Sequence, residues 1–205
     1  MDYSELPNEQ TVTKTKSALE EKGYVVHVLA DGAAALKKIQ EIMPEGVSIM
    51  NGGSTTLEQI GYSAVLESGK HNWNDLHAKI TAEDDKETRD KLRQESVLSE
   101  YYLGSVHALV QNGVFVIASN TGSQLPHVVF TSNNLIFVVS TKKIVSTLDD
   151  AMKRLYDHVV KLEDERMMKA YNAHTAANKV LIFNGESAIK NRKITFLLVT
   201  EDLGF

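Results

Sequence analysis

A hydroxyl-rich segment after two consecutive glycines is the strongest chemical feature of this sequence. It reads Asn51-Gly52-Gly53-Ser54-Thr55 and directly follows a short apolar run. Where a strand turns into a helix, glycines let backbone N–H groups approach an anion, and the helix N-terminus adds a favourable dipole. We therefore expect Gly52, Gly53, Ser54 and Thr55 to bind a phosphate, a carboxylate or an acyl oxyanion.

The same residues also fit a purely structural interpretation. Thr55 and Glu58 have the spacing of a capping box, which satisfies the backbone donors of a helix start without any ligand. Capping accounts for the threonine and the glutamate but not for the two glycines. Both interpretations stay open, and Glu58 remains a candidate ligand-binding residue.

A second polar loop follows another apolar run. It contains Thr121, Gly122, Ser123 and Gln124. Ligands of open α/β sheets bind outside the carboxyl ends of the strands, so two such loops can converge on one crevice. We expect these four residues to complete the anion site, the alternative being a polar surface turn.

A third strand end carries positive charge in the segment Ser140-Thr141-Lys142-Lys143. A lysine facing the crevice would bind a carboxylate or a phosphate as a point charge. We predict Lys142 in this role, although lysines in a turn are also commonly solvated.

Several kinds of catalytic site are disfavoured. None of the seven histidines stands four residues from another, so we expect no metal site. The sequence has no G-x-S-x-G elbow, no phosphate-binding P-loop and no dinucleotide fingerprint. His107 and His127 lie near the polar loops and are candidate proton carriers. Whether the chain catalyses a reaction stays open.

Composition excludes further functions. The chain has no cysteine, so it offers no thiol nucleophile, no disulfide and no cysteine-ligated zinc or cluster. With 22 Lys and Arg against 27 Asp and Glu, its net charge is −5, which gives no basic footprint for nucleic acid or for an anionic membrane. We expect neither as a partner.

Length and hydropathy bear on domain number and location. A chain of 205 residues fits one domain, and we expect a single domain over 1–205. No run approaches the ~20 apolar residues that span a bilayer. Residues 1–7 are polar and acidic, unlike a secretory signal, so we expect a cytoplasmic protein.

Helical and strand patterns alternate along the chain, which predicts an α/β fold with three α/β/α layers and a mixed, mostly parallel sheet. Asn112-Gly113 predicts a hairpin between two of the strands. A polar, irregular segment is expected over 70–81. The predicted helices are 8–22, 31–43, 81–102 and 147–170, and the predicted strands are 24–29, 47–50, 105–110, 114–119, 135–139, 180–183 and 194–200.

Several motifs together resemble the LUD (lactate-utilisation) domain family, from about residue 10 to the end. They are segments 51–61, 104–108, 112–113, 121–126, 143–154 and 203–205. The resemblance implies a fold of the NagB/RpiA/CoA-transferase-like group, whose members bind anions at strand ends. It also implies a role in oxidising L-lactate to pyruvate beside partner subunits that carry iron–sulfur clusters.

Three departures from many relatives accompany this resemblance, one of which is Leu109-Val110-Gln111 in place of a Thr and an acidic residue before the Asn-Gly turn. Because it has no cysteine, it resembles the cluster-free type of LUD protein, with no cofactor of its own and iron–sulfur clusters only in partner subunits. Ser123-Gln124 stands where many relatives have Asn-Arg, so no arginine is available there to clamp a carboxylate. The expected partners are a small anionic metabolite, such as a carboxylate, a phosphate or a CoA-like molecule, and those iron–sulfur subunits.

An interaction module is the alternative function. In that case the glycine loops are plain turns, and the long helix over 147–170 docks a partner subunit without any ligand site in this chain.

Overall fold

The computed structural model describes residues 3–205; Met1 and Asp2, part of the segment that argued against a secretory signal, lie outside the described residues. A π-helical turn, Leu155–Val159, joins the last two helices. The helices are α1 Glu9–Glu21, α2 Gly32–Ile42, α3 Thr55–Gln59, α4 Tyr62–Glu67, α5 Leu76–Thr81, α6 Lys86–Glu95, α7 Leu148–Arg154 and α8 Val160–Tyr171. The strands are β1 Val25–Leu29, β2 Ser48–Asn51, β3 Asn74–Asp75, β4 Tyr101–Gly104, β5 Ala108–Val110, β6 Phe115–Ser119, β7 Asn134–Ser140, β8 Ile144–Val145, β9 Lys179–Phe183 and β10 Lys193–Val199.

Local sequence accounts for most helix starts. The side chains of Asn8, Asp31, Asp85 and Thr147 each accept a hydrogen bond from a backbone N–H in the first turn of the helix that follows. Such N-caps satisfy donors that have no partner inside the helix. Gly23 ends α1 at a φ of +83°, a conformation that favours glycine.

A six-stranded parallel sheet forms the centre of the molecule, with strand order β1-β10-β7-β4-β2-β3. Two of its inner strands, β10 and β7, are apolar and buried on both faces, as expected for a sheet that is covered on both sides. All six strands point the same way, so their carboxyl ends meet at one edge.

A second, four-stranded sheet packs on the first, in the order β8-β5-β6-β9. The Asn-Gly turn makes β5 and β6 an antiparallel hairpin, as predicted. The inner face of this second sheet shares an aromatic-rich core with the parallel sheet. Its outer face packs on α7 and the π-helical turn. On the far side of the parallel sheet, α2, α3 and α4 cover a third core cluster.

These layers confirm the predicted fold class. Helices flank the β-structure on both sides, and the parallel pairings dominate. The hairpin differs from expectation in one respect: it belongs to a separate sheet that doubles the central layer, because β6 pairs with β9 rather than with the parallel strands.

Two predicted segments are wrong. The irregular segment 70–81 instead contains β3 and α5, and its Asp75 and Ile80 are buried. The helix predicted over 81–102 spans only Lys86–Glu95 and is capped by Asp85, not Thr81. It is followed by β4, whose Tyr102 and Leu103 lie in the core. Within residues 3–205, no helix has the length and apolar character needed to cross a membrane.

Candidate functional site

A cavity of about 440 Å³ opens at the carboxyl edge of the parallel sheet. Segments that follow three neighbouring strands form its inner wall: Gly52–Thr56 after β2, Ser105 after β4 and Lys143 after β7. The loop after β6 closes one side. This edge is where ligands bind in open parallel α/β sheets.

The two predicted loops meet at Gly52. A Cβ atom there would lie 3.0 Å from the Tyr102 hydroxyl and 3.4 Å from Oε1 of Gln124. The Tyr102 hydroxyl donates to this Oε1 at 3.0 Å, and Nε2 of Gln124 donates to the Ala118 carbonyl at 2.8 Å. Burial raises the pKa of Tyr102, so its hydroxyl keeps its proton. Close approach between the loops is therefore one reason for a glycine at position 52.

The start of α3 differs from the predicted capping box. Ser54 is the N-cap, and its hydroxyl accepts from the Leu57 backbone N–H at 3.3 Å. Thr55 lies inside the helix, and Glu58 is exposed outside the cavity wall. With only five residues, α3 supplies little dipole for an anion.

Lys143 provides the positive charge at the inner end of the cavity. It ends a 3-10 turn after β7, and its side chain is only 4% exposed. Its ammonium group donates to Oγ1 of Thr56 at 3.0 Å and to Oγ of Ser105 at 3.1 Å. Among residues 3–205, no carboxylate forms an ion pair with it. Burial lowers the pKa of Lys143 well below its ordinary value, and the cations of Arg154 and Lys142 lower it further.

Lys142, the lysine predicted at the rim, has a different position. Its ammonium group pairs with Asp202 and donates to the Gly204 carbonyl at 2.8 Å. It does not line the cavity. The side chains of adjacent residues diverge in the 3-10 turn, so one lysine holds the segment after β10 while the next faces the cavity.

Buried Arg154 holds the same segment from the other side. It donates to the His107 carbonyl and, at 2.8 Å, to the main-chain oxygen of Phe205. Gly204 and Phe205 thereby form part of the cavity wall. Both terminal nitrogens of the guanidinium group donate to these main-chain oxygens, whereas Nε has no hydrogen-bond partner within residues 3–205.

His107 is the histidine of the inner wall. Its Nδ1 accepts from the Ala118 backbone N–H at 3.1 Å, so this nitrogen carries no proton. Burial lowers its pKa to about 3, with Lys143 and Arg154 lowering it further. His107 is therefore neutral at pH 7. His127 is buried beneath Tyr102 and does not line the cavity.

The outer wall is largely apolar. It is built by the π-helical turn and α8, with contributions from the segment 175–177. Glu163 and Arg166 form a bidentate pair in this wall, at 2.7 and 2.8 Å, and so balance each other. The apolar residues are Leu155, Val159, Val160, Met167, Tyr171 and Ala177.

Seven of the ten predicted site residues line this cavity, and three do not. Glu58, Gly122 and Lys142 lie outside the wall; the others are Gly52, Gly53, Ser54, Thr55, Thr121, Ser123 and Gln124. Ser105 and the apolar wall were not among the predicted site residues. Ser105 lies in the segment 104–108 that resembles the LUD domain family, and the apolar wall comes from the helix predicted over 147–170, which had been considered only as a docking surface.

No group of three or more His, Asp or Glu side chains in residues 3–205 is placed to hold a metal ion. The side-chain donors of the cavity wall are mainly hydroxyls, with the amides of Asn120 and Gln124, the Lys143 ammonium group and the Arg166 guanidinium group, which is paired with Glu163. Such a set suits an anion better than a cation.

Comparison with solved structures shows a similar fold. A DUF162 family protein from Deinococcus radiodurans matches with a TM-score of 0.59, covering 95% of this chain and 99% of that one, at 10% sequence identity. No curated protein sequence matches the chain. The family model for the LUD domain matches residues 12–195, a range that contains every residue of the cavity wall except Gly204 and Phe205. The chain therefore belongs to the LUD domain family, which is associated in general with lactate utilisation.

Proposed function

We propose that this chain binds a small organic anion in the cavity and acts in lactate utilisation. The observation that carries the proposal is Lys143, a buried lysine at the carboxyl edge of the sheet that has hydroxyl partners but, within residues 3–205, no carboxylate partner. A carboxylate ligand, as in L-lactate or pyruvate, would supply the missing negative charge.

The free energy of a buried charge supports this proposal. An ion that is moved from water into a protein interior loses several kcal/mol of hydration unless a counter-charge is present. Thr56 and Ser105 offer only dipoles to the Lys143 ammonium group. A bound carboxylate would recover part of this loss, so differential binding favours an anion over a neutral molecule of the same shape.

The remaining inner wall suits a hydroxy or oxo acid. The hydroxyls of Ser54 and Thr55 also line the cavity, in the segment that contains Thr56, one of the two partners of Lys143. Hydroxyls both donate and accept, so they can pair with either the hydroxyl of lactate or the carbonyl of pyruvate. Neutral His107 adds no charge that would compete with Lys143.

Oxidation of lactate to pyruvate removes two electrons and two protons, and the electrons need an acceptor. This chain has no cysteine to ligate a cluster. We therefore propose that iron–sulfur partner subunits accept the electrons wherever the chain takes part in the oxidation. Its own contribution would be to bind and orient the acid.

The alternative is an interaction module whose long helix docks a partner. In the structure, Val160, Met167 and Tyr171 of α8 line the cavity. These apolar residues therefore have a use that needs no partner protein, which favours the anion-binding proposal.

Thermal unfolding with and without ligand tests the proposal. L-lactate, pyruvate and phosphate are added separately to the wild type and to Lys143→Met. A ligand at one hundred times its Kd adds ~2.7 kcal/mol to the free energy of unfolding. We expect at least one carboxylate to raise the Tm of the wild type and to leave that of Lys143→Met unchanged.

Lys153→Met is the matched control. Lys153 is an exposed residue of α7 outside the cavity wall, so its loss changes the net charge by the same amount. The control should respond to ligand like the wild type. The proposal fails if no anion stabilises the wild type, or if both lysine variants respond equally.

A further inference from the structure

The cavity is too large for lactate alone. An engineered cavity of about 150 Å³ in another protein holds benzene, which has six non-hydrogen atoms, the same number as lactate. This cavity has about 440 Å³, roughly three times that volume. It also falls within the ~300–1,000 Å³ typical of sites for larger organic ligands.

The two ends of the cavity differ in chemistry. Lys143, Thr56 and Ser105 make the inner end charged and polar. The outer wall offers Met167, Val160 and other apolar side chains. Its charged pair, Glu163 with Arg166, is internally neutralised.

The π-helical turn adds a second observation. It interrupts the regular helix over Leu155–Val159, and both end residues line the cavity. Such one-turn interruptions are rare and frequently occur at functional sites. Here the turn contributes Leu155 and Val159 to the apolar wall.

From these observations we propose that the ligand is an amphipathic acid: a carboxylate head at Lys143 and an apolar tail of several carbons along the wall formed by the π-helical turn and α8. This inference rests on the proposed anion site and extends it by naming the ligand class. A 2-hydroxy acid with a six- to eight-carbon chain fits both ends, whereas lactate fills the inner end only.

A chain-length series tests the ligand class. The probes are L-lactate, 2-hydroxyhexanoate and 2-hydroxyoctanoate, which share one head group, with affinity measured by isothermal titration calorimetry. Burying a methylene contributes about 0.8 kcal/mol, which corresponds to about a fourfold gain in affinity for each added carbon. We expect affinity to rise along the series. For 1,2-octanediol, which has the same tail but no carboxylate, we expect weaker binding that Lys143→Met does not alter.

A pair of variants on α8 distinguishes the contribution of the ligand's apolar tail to affinity from that of its carboxylate head. Met167 and Met168 are adjacent and both half-buried, but only Met167 lines the cavity. Met167→Ser removes apolar contact without adding a charge, so it should weaken 2-hydroxyoctanoate binding at least tenfold and lactate binding much less. Met168→Ser should weaken neither.

The possible outcomes distinguish this inference from the proposed function. Equal affinities along the series, with binding still lost in Lys143→Met, would overturn the amphipathic ligand and keep the small-anion site. Absence of binding by every acid would overturn both. A rise with chain length that neither Lys143→Met nor Met167→Ser reduces would indicate unspecific apolar binding and would also overturn both.

Discussion

Removing the charge of Lys143 should make the empty protein more stable. Below pH 10.5, folding must either bury the amino group of Lys143 as an ammonium ion that faces two hydroxyls or remove its proton, and both cost free energy. The effective penalty for one buried ion is several kcal/mol. Methionine has a similar length and no charge, so Lys143→Met removes the penalty.

The expected gain is reduced by lost hydrogen bonds. Thr56 and Ser105 would each lose a partner, at a cost of about 1 kcal/mol per hydroxyl. The net increase in the free energy of unfolding at pH 6 is therefore about 1–2 kcal/mol. For a chain of this size, that corresponds to a rise in Tm of about 2–8 °C.

The lowered pKa of Lys143 determines how the stability difference between the two proteins changes with pH. The pKa of Lys143 is lowered in the folded state, from an ordinary value of 10.5. Between the folded pKa and 10.5 the unfolded chain binds more protons, so wild-type stability rises with pH by up to ~1.4 kcal/mol per unit. The advantage of Lys143→Met should shrink as the pH rises through this range.

Urea denaturation of both proteins between pH 6 and pH 10 measures these differences. Titrations of other groups affect both proteins alike, so the difference between the two curves reports on position 143. A Lys143→Met protein that is less stable at pH 6, or a constant difference across the range, would refute the idea that an unpaired buried cation destabilises the empty site.

Two further predictions concern the walls around the site. Gly204 has a φ of +68°, and a Cβ there would lie 2.2 Å from Oγ1 of Thr56 and 2.8 Å from Nζ of Lys143. Gly204→Ala should therefore lower the free energy of unfolding by more than ~1 kcal/mol and weaken carboxylate binding, as measured by denaturation and calorimetry; unchanged values would contradict this. Burial lowers the pKa of His127 to about 4, so this residue should account for about 3 kcal/mol of the stability that the wild type loses as the pH falls from 6.5 to 4, in addition to the loss due to His107. His127→Gln should lose about 3 kcal/mol less than the wild type, whereas the exposed His174→Gln should lose as much as the wild type.

Much of the fold was predictable because its signals are local. The strand over 135–139 is apolar throughout, as befits burial on both faces, and the Asn-Gly turn defines the hairpin before it. By contrast, β4 was not predicted, because the charged helix predicted over 81–102 includes its first residues. Its Tyr102 and Leu103 form a pattern too short to interpret alone, and they become a strand because β2 and β7 pair with them on both sides.

The candidate site was predictable only in part, for a related reason. The sequence indicated the glycine loop, because two glycines before hydroxyl residues are a local feature. It did not indicate which of two adjacent lysines faces the cavity. That choice depends on Asp202 and Gly204, sixty residues further on, which engage Lys142 and leave Lys143 to the cavity.

The net charge of −5 also becomes more informative once the site is known. A chain with more Asp and Glu than Lys and Arg has enough carboxylates to place one beside a buried lysine. Lys142 forms such an ion pair, with Asp202. Lys143 instead has a threonine and a serine as partners. A carboxylate at either position would neutralise the ammonium group and repel an incoming anion, whereas a hydroxyl orients the group and leaves its charge available. The choice of neutral partners in a chain rich in acid therefore favours binding over stability at this site.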